Sequence, residues 1–348
     1  MRSFDTQREH AIALDWKPVP MTTSLRSAAV RAPARLHMGF LDLNGSRGRR
    51  FGSVGLTLDE LGVALVAERA SVFSVSGPQG ARAERLARSW LERHGLPETC
   101  RIAIEMAIPE HVGLGSGTQL AIAIGVALSR LFALDVSMQE MAALYDRGQR
   151  SGIGIGAFEQ GGFLVDGGKG ARDVPPPVVA RIEFPTEWRL LLVFDRTLRG
   201  LHGERELAAF RALPEFPEST SAHLCRLMLM QGLPALIEHE LDVFGSAIGE
   251  LQRVIGDYFA PAQGARFASA RVAEVLAWLE SEGCAGVGQS SWGPTGFAIV
   301  GSEVRAQALA HAARIRWGDA EELQFMVCRA RNRGGEVEVL EAARAAAR

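Results

Sequence analysis

Apolar and polar positions along the chain follow two periods, and their alternation outlines the elements. Strand-like runs, apolar or alternating, occupy 28–36, 55–68, 71–76 and 101–108. Residues 81–94 have helical spacing with Leu86, Trp90 and Leu91 on one side, and 118–132 predict a long apolar helix. A third helix is expected over 137–147, where Ser137 caps and Glu140 completes a capping box. Residues 151–170 read as a glycine-dense loop that holds a short strand at 162–165, and three prolines within 173–178 mark a joint. Beyond it, strands at 179–184 and 190–194 precede helices at 204–213, 219–231 and 234–256. A helix at 268–282, strands at 286–290 and 296–300, a helix at 303–315 and a strand at 323–329 complete the series. Strands first and a mixture afterwards predict an α+β protein with two sheets. The organisation expected is a loose extension over 1–24 (with Met21 an alternative start), a first subdomain over 25–172 and a second over 173–348. The alanine-rich tail from Ala342 reads as helical or frayed.

Composition narrows the partners. A chain of 348 residues buries a large core, and its formal net charge of −2 offers no bulk attraction to nucleic acid or to an anionic membrane. Positive charge is nearly all arginine, since Lys17 and Lys169 are the only lysines, so any grip on phosphate or carboxylate uses guanidinium forks. Cys100, Cys225, Cys284 and Cys328 form no C-x-x-C pair and are expected as buried reduced thiols. The first residues lack a signal-peptide core and no apolar run reaches membrane-spanning length, so a soluble cytoplasmic protein is expected.

The chemistry concentrates in glycine-rich blocks. Pro109-Glu110-His111-Val112-Gly113-Leu114-Gly115-Ser116-Gly117-Thr118-Gln119 lies between a predicted strand and a predicted helix. Such a turn aims unpaired backbone N–H groups and the positive end of a helix dipole at one point, which suits phosphate. The competing reading is a glycine turn with Ser116 or Thr118 as an ordinary N-cap. The lysine of a P-loop is missing, so backbone, hydroxyls, arginine and a metal must do its work. Arg35 and His37 interrupt an apolar strand, and a basic turn with Arg47, Arg49 and Arg50 follows; a solvated turn is the alternative for those three. Residues 147–162 and 286–296 form the second and third blocks, the latter with Gln289, Ser290, Trp292 and Thr295. The Trp292 indole offers a flat wall for a ring, or is simply packed. Asp195, Arg196, His202, Glu204 and Arg205 read as a solvated loop.

Pro-x-x-x-Gly-Leu-Gly-Ser-Gly resembles the phosphate loop of the GHMP kinase superfamily, and Glu159-Gln160 stands where those kinases carry Asp-Gln. The runs PEHVGLGSGTQ (109–119), RSGIGIGAFEQGG (150–162) with Asp166-Gly167-Gly168, and GVGQSSWGPT (286–295) together resemble the β-ribofuranosylaminobenzene 5′-phosphate synthase family, over about residues 31 to 329. The resemblance implies a GHMP kinase-like α+β fold of two subdomains with mixed and antiparallel sheets. It also implies 5-phosphoribosyl 1-diphosphate as donor, 4-aminobenzoate or 4-hydroxybenzoate as acceptor, Mg²⁺, and a homodimer. On that footing Gly113, Gly115, Ser116, Gly117 and Thr118 cradle diphosphate. Glu159, Asp166 and Ser116 are the candidates for the metal. Arg35, His37, Arg49 and Arg150 take the 5′-phosphate and the benzoate carboxylate, with Glu159, Arg150 and His37 the catalytic candidates. Gln289, Ser290, Trp292 and Thr295 line the substrate. An ATP-dependent small-molecule kinase and a non-catalytic phosphate-ligand binder are the rivals.

Overall fold

The computed structural model describes residues 25–200, 203–318 and 322–341. The expectations for residues 1–24, for His202 and for the tail from Ala342 lie outside the described residues.

The first sheet is built on two long antiparallel strands, β1 (Leu25–Asp42) and β2 (Phe51–Arg69). Both run well beyond their apolar stretches. Irregularities in the ladder at Pro33/Arg35 and His37/Gly39 bend β1 just where its polar residues stand. After β3 (Ser74–Ser76), α1 (Gly80–Arg93) and β4 (Cys100–Met106), the chain enters α2 (Ser116–Leu131). Nearly every residue of α2 from Gln119 to Leu131 is buried, as expected of a helix that is apolar all round and packs beneath β1 and β2. The capping box of Ser137 and Glu140 opens α3 (Met138–Leu144).

The glycine-dense stretch departs from expectation, because Ile153–Glu159 is a helix, α4. Its glycines let neighbours approach closely: a methyl added at Gly154 would lie 3.0 Å from Thr118 Cγ2, and one at Gly156 2.7 Å from Val178 Cγ2. Tertiary packing therefore outweighs the low helix propensity of glycine.

Next come β5 (Phe163–Asp166) and β6 (Val178–Ile182), then β7 (Arg189–Asp195). The helices are α5 (Gly203–Ala212), α6 (Glu218–Leu227), α7 (Leu233–Ile237) and α8 (Leu241–Gln263). A π-helical turn, Met228–Gly232, joins α6 to α7. The single helix expected over 234–256 is instead α7 and α8, broken where His239 takes a positive φ of 60°. Then follow α9 (Ala270–Ser281), β8 (Gly286–Gln289), β9 (Thr295–Val300), α10 (Glu303–Trp317), β10 (Leu323–Cys328) and β11 (Glu336–Glu341).

The first sheet has the order β11-β1-β2-β4-β3, with β5 and β6 extending from the other end of β2. Two of its strands, β6 and β11, come from beyond residue 172, and β11 matches no sequence expectation. The second sheet is antiparallel, β10-β7-β9-β8. Cys100, Cys284 and Cys328 are buried thiols, whereas Cys225 is exposed, contrary to expectation. Among the described residues, no helix is long and apolar enough to cross a membrane.

Candidate functional site

The first and third glycine blocks meet edge to edge. A methyl at Gly113 would lie 2.2 Å from the Ser290 carbonyl oxygen, and one at Gly293 2.3 Å from that of Val112, so neither position has room for a side chain. Gly113 also has φ 85°, a backbone state that costs other residues free energy. The Ser290 hydroxyl donates to Gly113 O at 2.8 Å and accepts from His37 N at 3.0 Å. The Ser291 amide donates to His37 O at 3.1 Å. Arg35 donates through Nη1 to Gly113 O and through its amide to Leu114 O at 3.2 Å. The kink in β1 thus stitches Arg35 and His37 to both glycine blocks.

Gly115 caps α2 in a left-handed conformation without any side-chain cap, which leaves the first N–H groups of a 16-residue helix free for an anion. Ser116, Gly117 and Thr118 form its first turn. Three arginines surround this turn. The Arg35 side chain lies over Gly115, with Cγ 3.3 Å from the methyl position. At Gly117 the corresponding methyl would lie 2.4 Å from Arg82 Nη2 and 3.4 Å from Arg147 Nη1. Arg82 pairs with Glu110 at 3.0 Å. Arg147 Nε is buried with no hydrogen-bond partner among the described residues. Burial, then the like charge of Arg82, lowers the Arg147 pKa. Burial lowers that of Arg35 to about 10, opposed by the charge of Glu206. Arg35 therefore remains cationic at neutral pH.

Two residues past Arg35 the surroundings turn aromatic. His37 is 3 % exposed, and its ring lies 4.6 Å from Phe40. Phe259 lies 4.3 Å from Trp292, and Phe210 of α5 closes on both at 5.5 and 5.3 Å. His37, Phe40, Phe259 and Trp292 line a cavity of about 20 Å³ together with Gln252, Gln263, Arg266 and Gln289. Beyond Phe210 lies a wider cavity of about 450 Å³, bounded by Arg50, Phe51 and Arg150. Arg150 stacks on Phe210 at 4.8 Å and pairs with Glu206. His37 Nε2, Trp292 Nε1 and Thr295 Oγ1 are buried without a partner among the described residues. Burial, aided by the charge of Arg35, drives the His37 pKa down to about 3, so the ring is neutral.

Contacts between β1 and the first and third glycine blocks therefore bring together Arg35, His37, Gly113, Gly115, Ser116, Gly117, Thr118, Gln289, Ser290, Trp292 and Thr295; His37, Gln289 and Trp292 line the small cavity, and Arg150 lines the wider one. The structure does not bring Glu159, Asp166 or Arg49 there. Glu159 ends α4 and opens instead onto a cavity of about 440 Å³ walled by Pro175, Pro176 and Pro177. Burial raises its pKa. Arg49 lines that same cavity and donates to Gly167 O and Gly168 O. Asp166 is buried, and its two oxygens accept from Ser53 Oγ, Ser151 Oγ at 3.1 Å, Gly152 N at 2.9 Å and Gly168 N at 2.9 Å. Its lone pairs are committed to holding the start of α4. Among the described residues no three His, Cys, Asp or Glu side chains gather as a metal site. Of the three metal candidates, only Ser116 stands at the start of α2, while Glu159 and Asp166 lie in other surroundings.

Arg82, Arg147, Phe40, Phe210 and Phe259 have no place among the sequence candidates. Arg147 adjoins the second glycine block, which is a usable signal; Arg82 lies in no motif at all. Asp195 is buried rather than solvated, accepting from Ser269 Oγ at 2.6 Å and Thr197 N at 2.8 Å.

Comparison with known proteins places this arrangement. Residues 81–162 match the GHMP kinases N terminal domain and 233–319 the GHMP kinases C terminal domain. The chain is 34% identical over 325 residues to a beta-ribofuranosylphenol 5′-phosphate synthase of Archaeoglobus fulgidus, covering 89% of this chain and 99% of that one. A protein of the same name from Methanothermobacter thermautotrophicus is 31% identical over 292 residues, covering 78% and 88%. Among solved structures, homoserine kinase from Cytophaga hutchinsonii superposes with a TM-score of 0.64 at 16% identity, over 92% of this chain and 100% of that one. Mevalonate diphosphate decarboxylase from Staphylococcus aureus gives 0.62 at 14% identity, over 90% and 98%. The last two likenesses establish a shared fold.

Proposed function

Because the chain belongs to the beta-ribofuranosylphenol 5′-phosphate synthase family within the GHMP kinase superfamily, we propose that it joins 5-phosphoribosyl 1-diphosphate to 4-hydroxybenzoate or 4-aminobenzoate, releasing diphosphate and carbon dioxide. The product is a C-glycoside of the methanopterin pathway. One observation carries the reading at the site: an uncapped helix N-terminus ringed by Arg35, Arg82 and Arg147 lies near a cavity walled by Phe40, Phe259 and Trp292. Those two environments suit the two substrates.

In the proposed reaction the bond from ribose C1 to the diphosphate oxygen breaks, and its electron pair leaves with diphosphate. The N–H groups at the start of α2 and the three guanidinium groups stabilise that charge as it develops. The ring carbon that bears the carboxylate attacks C1, pushed by the para hydroxyl or amino group. The bond to the carboxylate carbon then breaks, its electrons restore the aromatic ring, and carbon dioxide departs. No oxidant, reductant or net proton is required. An α donor giving a β product needs one inversion, so no enzyme nucleophile is required. Walls of Phe40, Phe259 and Trp292 exclude water, which would otherwise trap the electron-poor C1. The carboxylate must depart uncharged, and a neutral His37 avoids the ion pair that would hold it back. Mg²⁺, when bound with the donor, would share the charge of the departing diphosphate.

The test mixes purified protein, Mg²⁺, phosphoribosyl diphosphate and carboxyl-labelled acceptor, and counts released carbon dioxide against a control without donor. Donor-dependent release is expected, and comparing the two acceptors fixes the preference. No release with either, alongside ATP consumption in an alcohol screen, would move the assignment to a small-molecule kinase.

A further inference from the structure

The aromatic cavity holds a feature that water exclusion alone does not explain. His37 is buried beside Phe40 at a cavity that Phe259 and Trp292 line together with Gln252, Gln263, Arg266 and Gln289, yet its Nε2 has no hydrogen-bond partner among the described residues, and neither has Trp292 Nε1. Each unsatisfied buried group costs a fold free energy unless a bound partner satisfies it. The neutral imidazole carries a single proton, and with that proton on Nδ1 the unpartnered Nε2 presents a lone pair. A lone pair beside the rings of Phe40, Phe259 and Trp292 suits a ligand that is a flat ring with an O–H or N–H at its edge.

We propose that His37 Nε2 accepts a hydrogen bond from the para hydroxyl or amino group of the aromatic acceptor, and that this contact makes the enzyme select acceptors bearing such a donor. The inference rests on the reaction proposed above and assigns its acceptor specificity. Contact with Nε2 draws the O–H or N–H proton outward and enriches the ring carbon that attacks ribose. His37 lies two residues from Arg35 on β1, so the ring is placed next to the diphosphate end of the cleft. The cavity has room for about one water. A ring wall must therefore shift for the acceptor to enter, and Phe210, which packs on Phe40, Phe259 and Trp292 and lines the cavity of about 450 Å³, is placed to do so.

The experiment compares the affinity for 4-hydroxybenzoate (its KM in the carbon dioxide assay) with that for 4-fluorobenzoate as a competitive inhibitor, a compound of similar shape that has no donor and lacks the push that turnover needs. The wild-type protein is expected to favour the hydroxyl compound by about 10- to 100-fold, the worth of one buried hydrogen bond. His37→Leu should bring the two within about three-fold, chiefly through weaker binding of the hydroxyl compound (a higher KM) rather than a lower kcat. His37→Gln, whose amide oxygen can accept, should keep part of the preference. A wild-type ratio near one, or a ratio unchanged in His37→Leu of unaltered melting temperature, overturns the inference. Should His37→Leu fail to fold, the wild-type ratio and His37→Gln decide. If no acceptor is turned over, the reaction assignment fails separately, and tryptophan-fluorescence titration with the same two compounds decides the inference. Preference for 4-hydroxybenzoate sustains it, and equal affinity ends it.

Discussion

Arg35 and His37 stand two residues apart on one strand, yet they serve opposite electrostatic ends of one cleft. Arg35 faces a helix N-terminus and stays charged, although burial lowers its pKa to about 10. His37 faces phenyl rings, and burial holds it neutral down to about pH 3. The charge of Arg35 also helps to keep the neighbouring imidazole neutral. A reaction that expels an anion from one substrate and a neutral gas from the other needs both conditions side by side.

The sharpest way to break this contrast is to remove its charged member. Arg35→Ala deletes the guanidinium over Gly115 together with its hydrogen bond to Gly113 O. We expect a loss of about 10²–10³ in kcat/KM, the usual effect of removing a donor aimed at developing charge. Steady-state carbon dioxide release measures it, and activity within a few-fold of wild type would detach Arg35 from the leaving group.

Arg147→Ala is a milder test of the same end. Its guanidinium sits beside that of Arg82 with Nε unpartnered, an arrangement that is unfavourable without an anion. The variant should raise the KM for phosphoribosyl diphosphate about ten-fold while leaving the melting temperature unchanged or higher. A lowered melting temperature with an unchanged KM would make Arg147 a structural residue.

The aromatic end is probed by pH. The native pKa of His37, about 3, lies below the ordinary 6.5, so between those values the unfolded chain binds the extra proton. The stabilising contribution is complete above pH 6.5 and is lost as pH falls towards 3, at up to about 1 kcal/mol per pH unit. Urea unfolding at pH 7, 6, 5 and 4 should show that loss in the wild type, and His37→Leu should lack this part of the slope. Parallel pH profiles for the two proteins would show that His37 is not held neutral.

The contrast also marks what a sequence can convey. The glycine blocks were legible because tight turns and close backbone approach leave a local residue signature, and their order along the chain foretold that they act together. Gly113 and Gly293 exclude each other's side chains across 180 positions, so both had to be glycine. Arg82 carried no such mark, since a helix surface tolerates arginine anywhere, and only the docking of α1 beside α2 gives it a role. The aromatic cage draws on β1, α5, α8 and the loop before β9, each of which reads as ordinary core in isolation. Helix α4 was missed for the opposite reason: seven residues with two glycines look like a loop until Thr118, Leu164 and Val178 are packed against them. Strand β11 finds its partner some 300 residues earlier in the chain, beyond the reach of any local pattern.

The smallest expected effect belongs to the residue that the motif alone promoted most. Glu159 matches in order the acidic position of the kinases, but it ends α4 away from the α2 N-terminus, against the proline-walled cavity. It is partly buried, and burial raises its pKa. Glu159→Gln keeps the shape and removes the charge, so kcat/KM should stay within about three-fold of wild type. The Mg²⁺ concentration for half-maximal activity should not move. A metal-holding carboxylate would instead shift that concentration by about 10- to 100-fold when altered. A shift of that size would return Glu159 to the cleft and require α4 to move when donor binds; without one, the contrast between Arg35 and His37 accounts for the chemistry without an acidic partner.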